Sequence, residues 1–211
     1  MSLDAILVKP STPNKQTASW PLFLAGNLAL DFVNTRMRIG EEAVDLLQTD
    51  EDVLDWLKKA GLPAPKIDAR TGSLRLLRVA RVLRENIRSL VEKRKAGHRG
   101  NPSVLNNFLK HAQNHPRLAW KKPHAVTIEW IRQGDGLEAV LAPVAEAAAV
   151  LLATADFELV KRCEDETCLM WFSDQTKSHH RRWCSMEICG NRHKVAAYRE
   201  RSRRQSASQN R

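Results

Sequence analysis

Four cysteines near the carboxyl end are the residues whose type and spacing point most directly to chemistry. Cys163, Cys168, Cys184 and Cys189 are the only cysteines in the chain, and they follow the pattern C-x4-C-x15-C-x4-C within 27 residues. Two close pairs joined by a short loop can bring four thiolates to one tetrahedral point, as structural zinc requires. The spacing therefore predicts one structural Zn2+ ion. Four thiolates close the coordination sphere, so the ion would hold structure and leave no position for a catalytic water.

Disulfides and four unrelated core thiols are the alternatives to a metal site. The first residues, MSLDAILVKP, lack a basic stretch before an apolar one and a cleavage signal, so a reducing, cytoplasmic setting is expected and disulfides are disfavoured. Scattered core cysteines would not be expected to cluster in one short segment. Three histidines also lie close enough in sequence to replace a thiolate: His179, His180 and His193.

Basic residues are concentrated at the same end of the chain. The net charge is +10, and residues 177–211 carry +8 of it, with ten basic and two acidic side chains. Such a segment predicts a polyanion partner, with nucleic acid favoured over a membrane. Few aromatic residues are available to stack on single-stranded bases, which favours DNA over RNA. The candidate nucleic-acid-binding residues are Arg181, Arg182, Arg192, Lys194, Arg199, Arg201, Arg203 and Arg204.

Most of these cations are predicted to lie on one helix that starts at the last cysteine. Gly190 would allow the tight turn into this helix, which we expect to run to about Arg204. Val195, Ala196 and Tyr198 are available to face inward. Zinc would then fix the helix relative to the two arginines that precede the third cysteine.

The finger sequence resembles a known family. Residues 182–186 (RWCSM) and 189–194 (CGNRHK) are similar to the C-terminal CGNR zinc finger of a bacterial protein family. Thr176 stands where a serine is expected and keeps the hydroxyl group. The resemblance implies a treble-clef-like four-cysteine finger that binds DNA. Further upstream residues also fit this motif: Arg162, Cys163, Cys168, Trp171, Phe172 and Asp174.

An N-terminal stretch resembles the domain that accompanies this finger. Residues 28–35 (LALDFVNT) are similar to the opening of the ABATE domain, and 45–47 (DLL) and 60–62 (AGL) fit the same domain. The resemblance covers about residues 26–204. It implies a regulator of transcription in which the N-terminal domain senses a small-molecule effector or mediates assembly.

The polar residues of the LALDFVNT stretch have two interpretations. Asp31, Asn34 and Thr35 could line a ligand pocket, or they could cap and hydrogen-bond the first helix locally. No Ser-His-Asp order, phosphate-binding glycine loop or dinucleotide fingerprint is visible, so no enzymatic activity is expected. Two alternatives to a DNA-binding regulator remain open: an RNA-binding or ribosome-associated protein, and a zinc-stabilised protein-interaction module. The oligomeric state stays undecided.

The pattern of apolar residues predicts a mainly α-helical fold with a small β-hairpin. We expect a flexible leader at 1–19, a helical domain at 20–160, the zinc finger at 161–204 and a disordered tail at 205–211. Alternating residues around 126–130 predict a strand that pairs with 118–120. Residues 137–161 predict a buried helix kinked at Pro143. Its apolar run, 139–155, is too short and interrupted to predict a membrane span of about 20 residues.

The remaining helices are predicted from caps and apolar spacing. A short helix carries residues 28–33, and Thr49 with Asp52 forms a capping box for a helix that stops at Gly61. A long helix spans 74–95, capped by Ser73, and another covers 102–114. On the long helix, one face is apolar and the other carries four arginines that are expected to be solvated and paired with acids elsewhere: Arg78, Arg81, Arg84 and Arg88.

Overall fold

The structure is a computed structural model that describes residues 23–39, 42–62, 74–133 and 136–209. About half of these residues are helical, and their strands form small antiparallel pairs. The helices are α1 (Leu28–Val33), α2 (Asp50–Lys59), α3 (Arg75–Lys95), α4 (Ser103–Leu109), α5 (Leu137–Thr154) and α6 (Asn191–Gln209). The paired strands are β1 (Arg36–Ile39) with β2 (Glu42–Asp45), β3 (Gln113–Lys122) with β4 (Ala125–Gln133), and β5 (Val160–Arg162) with β6 (Trp171–Ser173).

Helix α3 lies at the centre of the N-terminal domain, and the predicted apolar face forms its core side. Leu76, Ala80, Leu83, Ile87 and Val91 are buried, and the helix packs against α1, α2, α4 and α5. One part of the prediction is wrong: Arg84, assigned to the solvated face, is buried with 2% of its side chain exposed. Ser73 lies outside the described residues, and α3 begins after Leu74, whose φ of 48° is left-handed.

Helix α5 is the most apolar element. It has the length and composition of a membrane-crossing helix, with a mean hydropathy of 1.7, but its residues from Leu141 to Ala145 are buried against α1, α3 and α4. Pro143 sits inside the helix. The helix ends at Thr154, seven residues before the predicted end, because Ala155 is extended and the Asp156 carboxylate accepts a hydrogen bond from the backbone N–H of Glu158. The chain then enters β5.

The predicted hairpin is present as β3 and β4 and is longer than the alternating residues indicated. Leu118 pairs with Ile128 and Trp120 pairs with Val126. Helix α4 ends at Leu109, five residues earlier than predicted, because β3 begins at Gln113. Alternation would predict a half-buried strand, yet Leu118 and Trp120 are both 69% exposed, so the hairpin stands away from the core.

The predicted capping box is present at the start of α2, and α1 has a cap that was not predicted. Thr49 and Asp52 form the capping box of α2, and Asn27 caps α1 by accepting hydrogen bonds from the N–H groups of Ala29 and Leu30. The β1–β2 hairpin was not predicted. The predicted leader, 1–19, lies outside the described residues. At the other end α6 continues to Gln209, so residues 205–209 are helical and the expectation of a disordered tail from 205 is wrong there.

Candidate zinc centre and nucleic-acid interface

The four cysteines converge on one point. Their Sγ atoms all lie within 4.8 Å of one another, and all four residues are buried and free of disulfides. The Sγ atom of Cys184 lies 3.8 Å from that of Cys168 and 3.5 Å from that of Cys189. A tetrahedral zinc ion with Zn–S bonds of about 2.3 Å separates its sulfur ligands by about 3.8 Å. The cluster therefore fits one zinc ion.

Main-chain hydrogen bonds place each cysteine pair. The first pair flanks a turn between β5 and β6, in which the Cys163 N–H donates to Met170 O at 2.9 Å and the Cys168 N–H donates to Asp165 O at 2.8 Å. In the second pair, Cys184 precedes a helical turn, Met186–Gly190, and Cys189 lies within it. Ser185 caps this turn by accepting hydrogen bonds from the N–H groups of Glu187 and Ile188. The Cys184 N–H donates to Cys163 Sγ at 3.4 Å and so links the two pairs.

Gly190 is required for space. A Cβ atom at this position would lie 2.7 Å from Met186 Sδ and 3.2 Å from Trp183 Cδ1. Its φ is not in the left-handed region, so the expected role in a tight turn is replaced by a close approach of these two side chains at the start of α6.

The four thiols of the cluster are electrostatically coupled. Hydrogen bonds from the thiols of Cys168 and Cys184 lower the pKa of Cys163. Donating those hydrogen bonds raises the pKa of Cys168 and of Cys184, and burial raises the pKa of Cys189. Four thiolates at this spacing need a divalent ion to offset their mutual repulsion.

The first turn of α6 is clamped to the cysteine cluster. Arg192 donates to Thr167 Oγ1 at 2.9 Å and lies 3.2 Å from Asp165 Oδ2. His193 Nε2 lies 3.5 Å from the same oxygen, and its ring stacks on Trp183 at a centroid distance of 4.2 Å. His193 is therefore a packing partner and the zinc ligands are the four cysteines. Asp165, which accepts both contacts, is itself 3% exposed.

Beyond these contacts, the next residues of α6 are exposed and include several cations. Every residue from 194 to 201 is exposed. Val195 and Tyr198, expected to face inward, are 47% and 66% exposed, and Ala196 is exposed as well. Of the predicted nucleic-acid contacts, Lys194, Arg199 and Arg201 lie on this exposed stretch; Arg203 and Arg204 belong to α6, but their side chains lie outside what the structure describes.

The two arginines before Cys184 differ in their surroundings. Arg182 is exposed and pairs with Glu164 at 2.6 Å. Arg181 is half-buried: it donates to the carbonyl oxygens of Leu24 and Trp183, each at 2.9 Å, and its guanidinium lies over the Phe172 ring. Its side chain therefore joins the finger to the N-terminal domain, and its contact with nucleic acid stays a prediction.

Of the residues predicted to line a ligand pocket, Asn34 joins the two parts of the chain, and Asp31 and Thr35 form hydrogen bonds within the N-terminal domain. Asn34 donates from Nδ2 to Trp171 O at 2.7 Å and accepts from the Trp171 N–H at 2.8 Å. Asp31 accepts from the Ala25 N–H at 2.9 Å, and burial raises its pKa to about 6. Thr35 donates to Phe32 O and accepts from Arg84 Nη1 at 3.0 Å. All three are buried, with these polar atoms used inside the protein.

A second buried carboxylate orders the loop before Cys184. Asp174 accepts hydrogen bonds from Lys161 Nζ at 2.8 Å, from Thr176 Oγ1 at 2.7 Å and from the Arg181 N–H at 2.9 Å. Burial opposes ionisation, but these donors outweigh it and lower the pKa of Asp174. The hydroxyl of Thr176, at the position where serine was expected, therefore helps to hold the Asp174 carboxylate in place.

Arg84 and Asp45 form a partly buried ion pair that was not predicted from the sequence. The Arg84 guanidinium donates from Nη1 and Nη2 to the two Asp45 carboxylate oxygens at 2.7 and 2.6 Å. Burial opposes ionisation of Asp45, but these hydrogen bonds lower its pKa. The sequence did contain one indication that Arg84 is buried. Leu77, two helical turns earlier on the same face of α3, is apolar, so at least part of this face was expected to be covered by other residues.

The class of protein follows from these observations: a helical domain hydrogen-bonded to a C-terminal tetrathiolate zinc finger. The ABATE family, described as "Putative stress-induced transcription regulator", matches residues 26–155, and the family described as "CGNR zinc finger" matches residues 160–202. The chain belongs to the ABATE family and carries a CGNR zinc finger after that domain. No curated protein matches the chain significantly. The four cysteines hold one structural zinc ion.

Proposed function

We propose that this protein is a zinc-dependent DNA-binding transcription regulator and that α6 is its main DNA contact. The observation that carries the proposal is an exposed, basic helix that starts at a zinc ligand. The 19 residues of α6 include six basic side chains and one acidic one. An isolated helix of this length is marginally stable in water, so a helix held only at its first turn is suited to gain stability from a partner.

The dimensions and charge of α6 suit duplex DNA. A helix is about 10–12 Å across and the major groove of B-DNA is about 12 Å wide. Lys194, Tyr198 and Arg201 follow the spacing of one helix face, and Arg192 and Arg199 follow that of another. Two basic faces allow one to approach base edges while the other approaches phosphates.

The finger supplies the fixed frame for this helix. We propose that it is of the treble-clef type, in which a turn between two strands and the start of a helix each supply two ligands. Arg182, exposed on the loop before Cys184, adds a cation outside α6. Since zinc fixes the loop relative to the helix, removing the metal should disperse these charges and weaken binding.

We propose that the N-terminal domain senses a small-molecule effector or mediates assembly. We also propose that the protein acts in the bacterial cytoplasm, and that it acts by binding and not by catalysis. Asn34 and Arg181 support a role for this domain in controlling the finger, because both bridge the two parts of the chain. A change in the N-terminal domain would be transmitted through these contacts.

Fluorescence anisotropy with labelled duplex DNA tests the proposal. We expect the Arg199→Ala/Arg201→Ala variant to bind at least tenfold more weakly than the wild type. The matched control, Lys58→Ala/Arg75→Ala, removes the same charge from two exposed positions in the N-terminal domain and should bind within about twofold. If about five phosphates are neutralised, the wild-type log–log salt slope is roughly −4 to −5, and the α6 variant lowers its magnitude by about 2.

Three results would contradict the proposal. A wild-type salt slope near zero would exclude phosphate contacts. Equal binding by the α6 variant and the control would show that α6 is not the contact. Displacement of the duplex by a structured RNA at much lower concentration than by unlabelled duplex would favour the RNA-binding alternative.

A further inference from the structure

A small cavity lies at the junction between the N-terminal domain and the finger, and no residue of α6 lines it. Its volume is about 120 Å3, and it is lined by residues of β1, α3, β5, β6 and the turn between the two finger strands: Arg36, Arg88, Glu92, Arg162, Leu169 and Trp171. The described contacts of Asn34 with Trp171 place the two parts of the chain against each other here.

The charge around this cavity is unbalanced. Three arginines and one glutamate line it, and the nearby Glu85 carboxylate is shared among three guanidinium groups at 3.1–3.7 Å, those of Arg36, Arg84 and Arg88. Burial lowers the pKa of Arg88, Glu85 and Glu92 oppose this effect, and the proximity of Arg84 and Arg36 adds to it. The cavity therefore has excess positive charge that its own carboxylates do not offset.

The three arginines differ in the hydrogen bonds and ion pairs that they form within the protein. Arg88 donates to Val33 O at 2.7 Å, which fixes its guanidinium at the junction. Arg36 is held by a longer ion pair to Glu85 at 3.7 Å and is half-exposed. Arg162 has an exposed side chain, and its guanidinium has no hydrogen bond or ion pair to any other described residue. A guanidinium group that no described residue pairs with, beside two other guanidinium groups, is suited to bind an oxyanion.

We propose that this cavity binds a small free oxyanion of the size and charge of phosphate. A volume of about 120 Å3 is well below the roughly 300 Å3 at which drug-sized ligand pockets begin, which excludes a nucleotide and fits a phosphate-sized ion. Two walls are apolar, Leu169 and Trp171, which reduces solvent screening of the charges.

The position of the site connects it to the zinc centre. Arg162 is followed directly by the ligand Cys163, and Trp171 pairs with Arg162 across β5 and β6. An anion held jointly by Arg88 and Arg162 would link α3 to the strand that leads into the cysteine cluster. The site does not depend on the proposed DNA binding, since no residue of α6 lines it.

Calorimetric titration of the zinc-loaded full chain with inorganic phosphate, at constant ionic strength set with sodium chloride, tests the proposal. We expect saturable binding to the wild type with a dissociation constant in the millimolar range or below. The Arg162→Ala variant should bind at least tenfold more weakly, and the Arg75→Ala control, which removes an exposed arginine at the start of α3, should bind as the wild type does.

A gain-of-binding variant separates the proposal from a folding defect. Glu92→Gln removes the one carboxylate that lines the cavity, so phosphate should bind several-fold more tightly, which a damaged fold would not produce. Zinc content of one ion per chain verifies that each variant is intact. Absence of phosphate-specific heat in the wild type, unchanged affinity in Arg162→Ala, or unchanged or weaker affinity in Glu92→Gln would each overturn the proposal.

A DNA backbone is the other source of phosphate. If the cavity holds a free anion, Arg162→Ala should leave duplex affinity within about twofold of the wild type in phosphate-free buffer. A loss of duplex binding as large as that of Arg199→Ala/Arg201→Ala would assign the cavity to the nucleic-acid backbone and overturn the free-anion proposal.

Discussion

The side-chain amide of Asn34 joins the N-terminal domain to the finger by two hydrogen bonds to the main chain of one residue, Trp171. It is 2% exposed and pairs with both the N–H and the carbonyl oxygen of Trp171, as a neighbouring strand would. Replacing it with alanine leaves two buried main-chain groups without partners, and each such group costs about 1–3 kcal/mol. Asn34→Ala should therefore destabilise the protein by about 2–5 kcal/mol.

Thermal unfolding followed by circular dichroism at constant zinc measures this loss. For a chain of this size a destabilisation of about 3 kcal/mol lowers Tm by about 6–12 °C. Asn107→Ala makes the same chemical change at an exposed position on α4 and should shift Tm by no more than about 2 °C. A Tm for Asn34→Ala within about 2 °C of the wild type would refute the reasoning that these hydrogen bonds hold the finger.

Three further predictions concern buried charge. Burial raises the pKa of Asp31 to about 6, above its unfolded value, so the protonated carboxyl stabilises the fold most below about pH 4, and this stabilisation is lost as pH rises through 6. The unfolding free energy of the wild type relative to Asp31→Asn should therefore fall by up to about 3 kcal/mol between pH 4 and pH 7. A difference that does not change with pH would contradict this prediction. Arg84→Met removes the two shortest hydrogen bonds to the partly buried Asp45 carboxylate and leaves it the Arg81 guanidinium at 3.2 Å, so urea unfolding should show a loss of about 1–3 kcal/mol. Adding Asp45→Asn should cost less in that background than in the wild type, and strict additivity would contradict the ion pair. Three of the four thiols have raised pKa values, so protons compete with zinc for the sulfur atoms. A chromophoric chelator should therefore extract the metal more readily at pH 6 than at pH 7.5. Equal extraction at the two pH values would contradict competition between protons and zinc.

The zinc site was predictable because its ligands are one rare residue type at short spacing. Four cysteines in one segment restrict the chain to few arrangements, and the structure brings all four sulfur atoms together. The apolar face of α3 was predictable for a similar reason, since a period of 3.6 residues leaves one face to bury. These features depend on local sequence and on general rules of geometry.

The contacts across the chain were not predictable in this way. Asn34 meets Trp171, which is 137 residues away, and nothing in the residues around Asn34 distinguishes that use from a cap or a ligand contact. Arg84 is buried because Asp45 reaches it from β2, an element that the pattern of residues did not predict. Val195 and Tyr198 have the composition of an inward face, but no described element covers α6.

Hydrogen–deuterium exchange of the zinc-loaded protein, with and without duplex DNA, tests most directly whether α6 is the nucleic-acid contact. In the free protein the amides after the first turn of α6 should exchange rapidly, because nothing described packs on that stretch. With stoichiometric duplex they should slow at least tenfold, and the protection should disappear when the zinc is removed. Unchanged exchange in α6 when the DNA is bound would contradict the account.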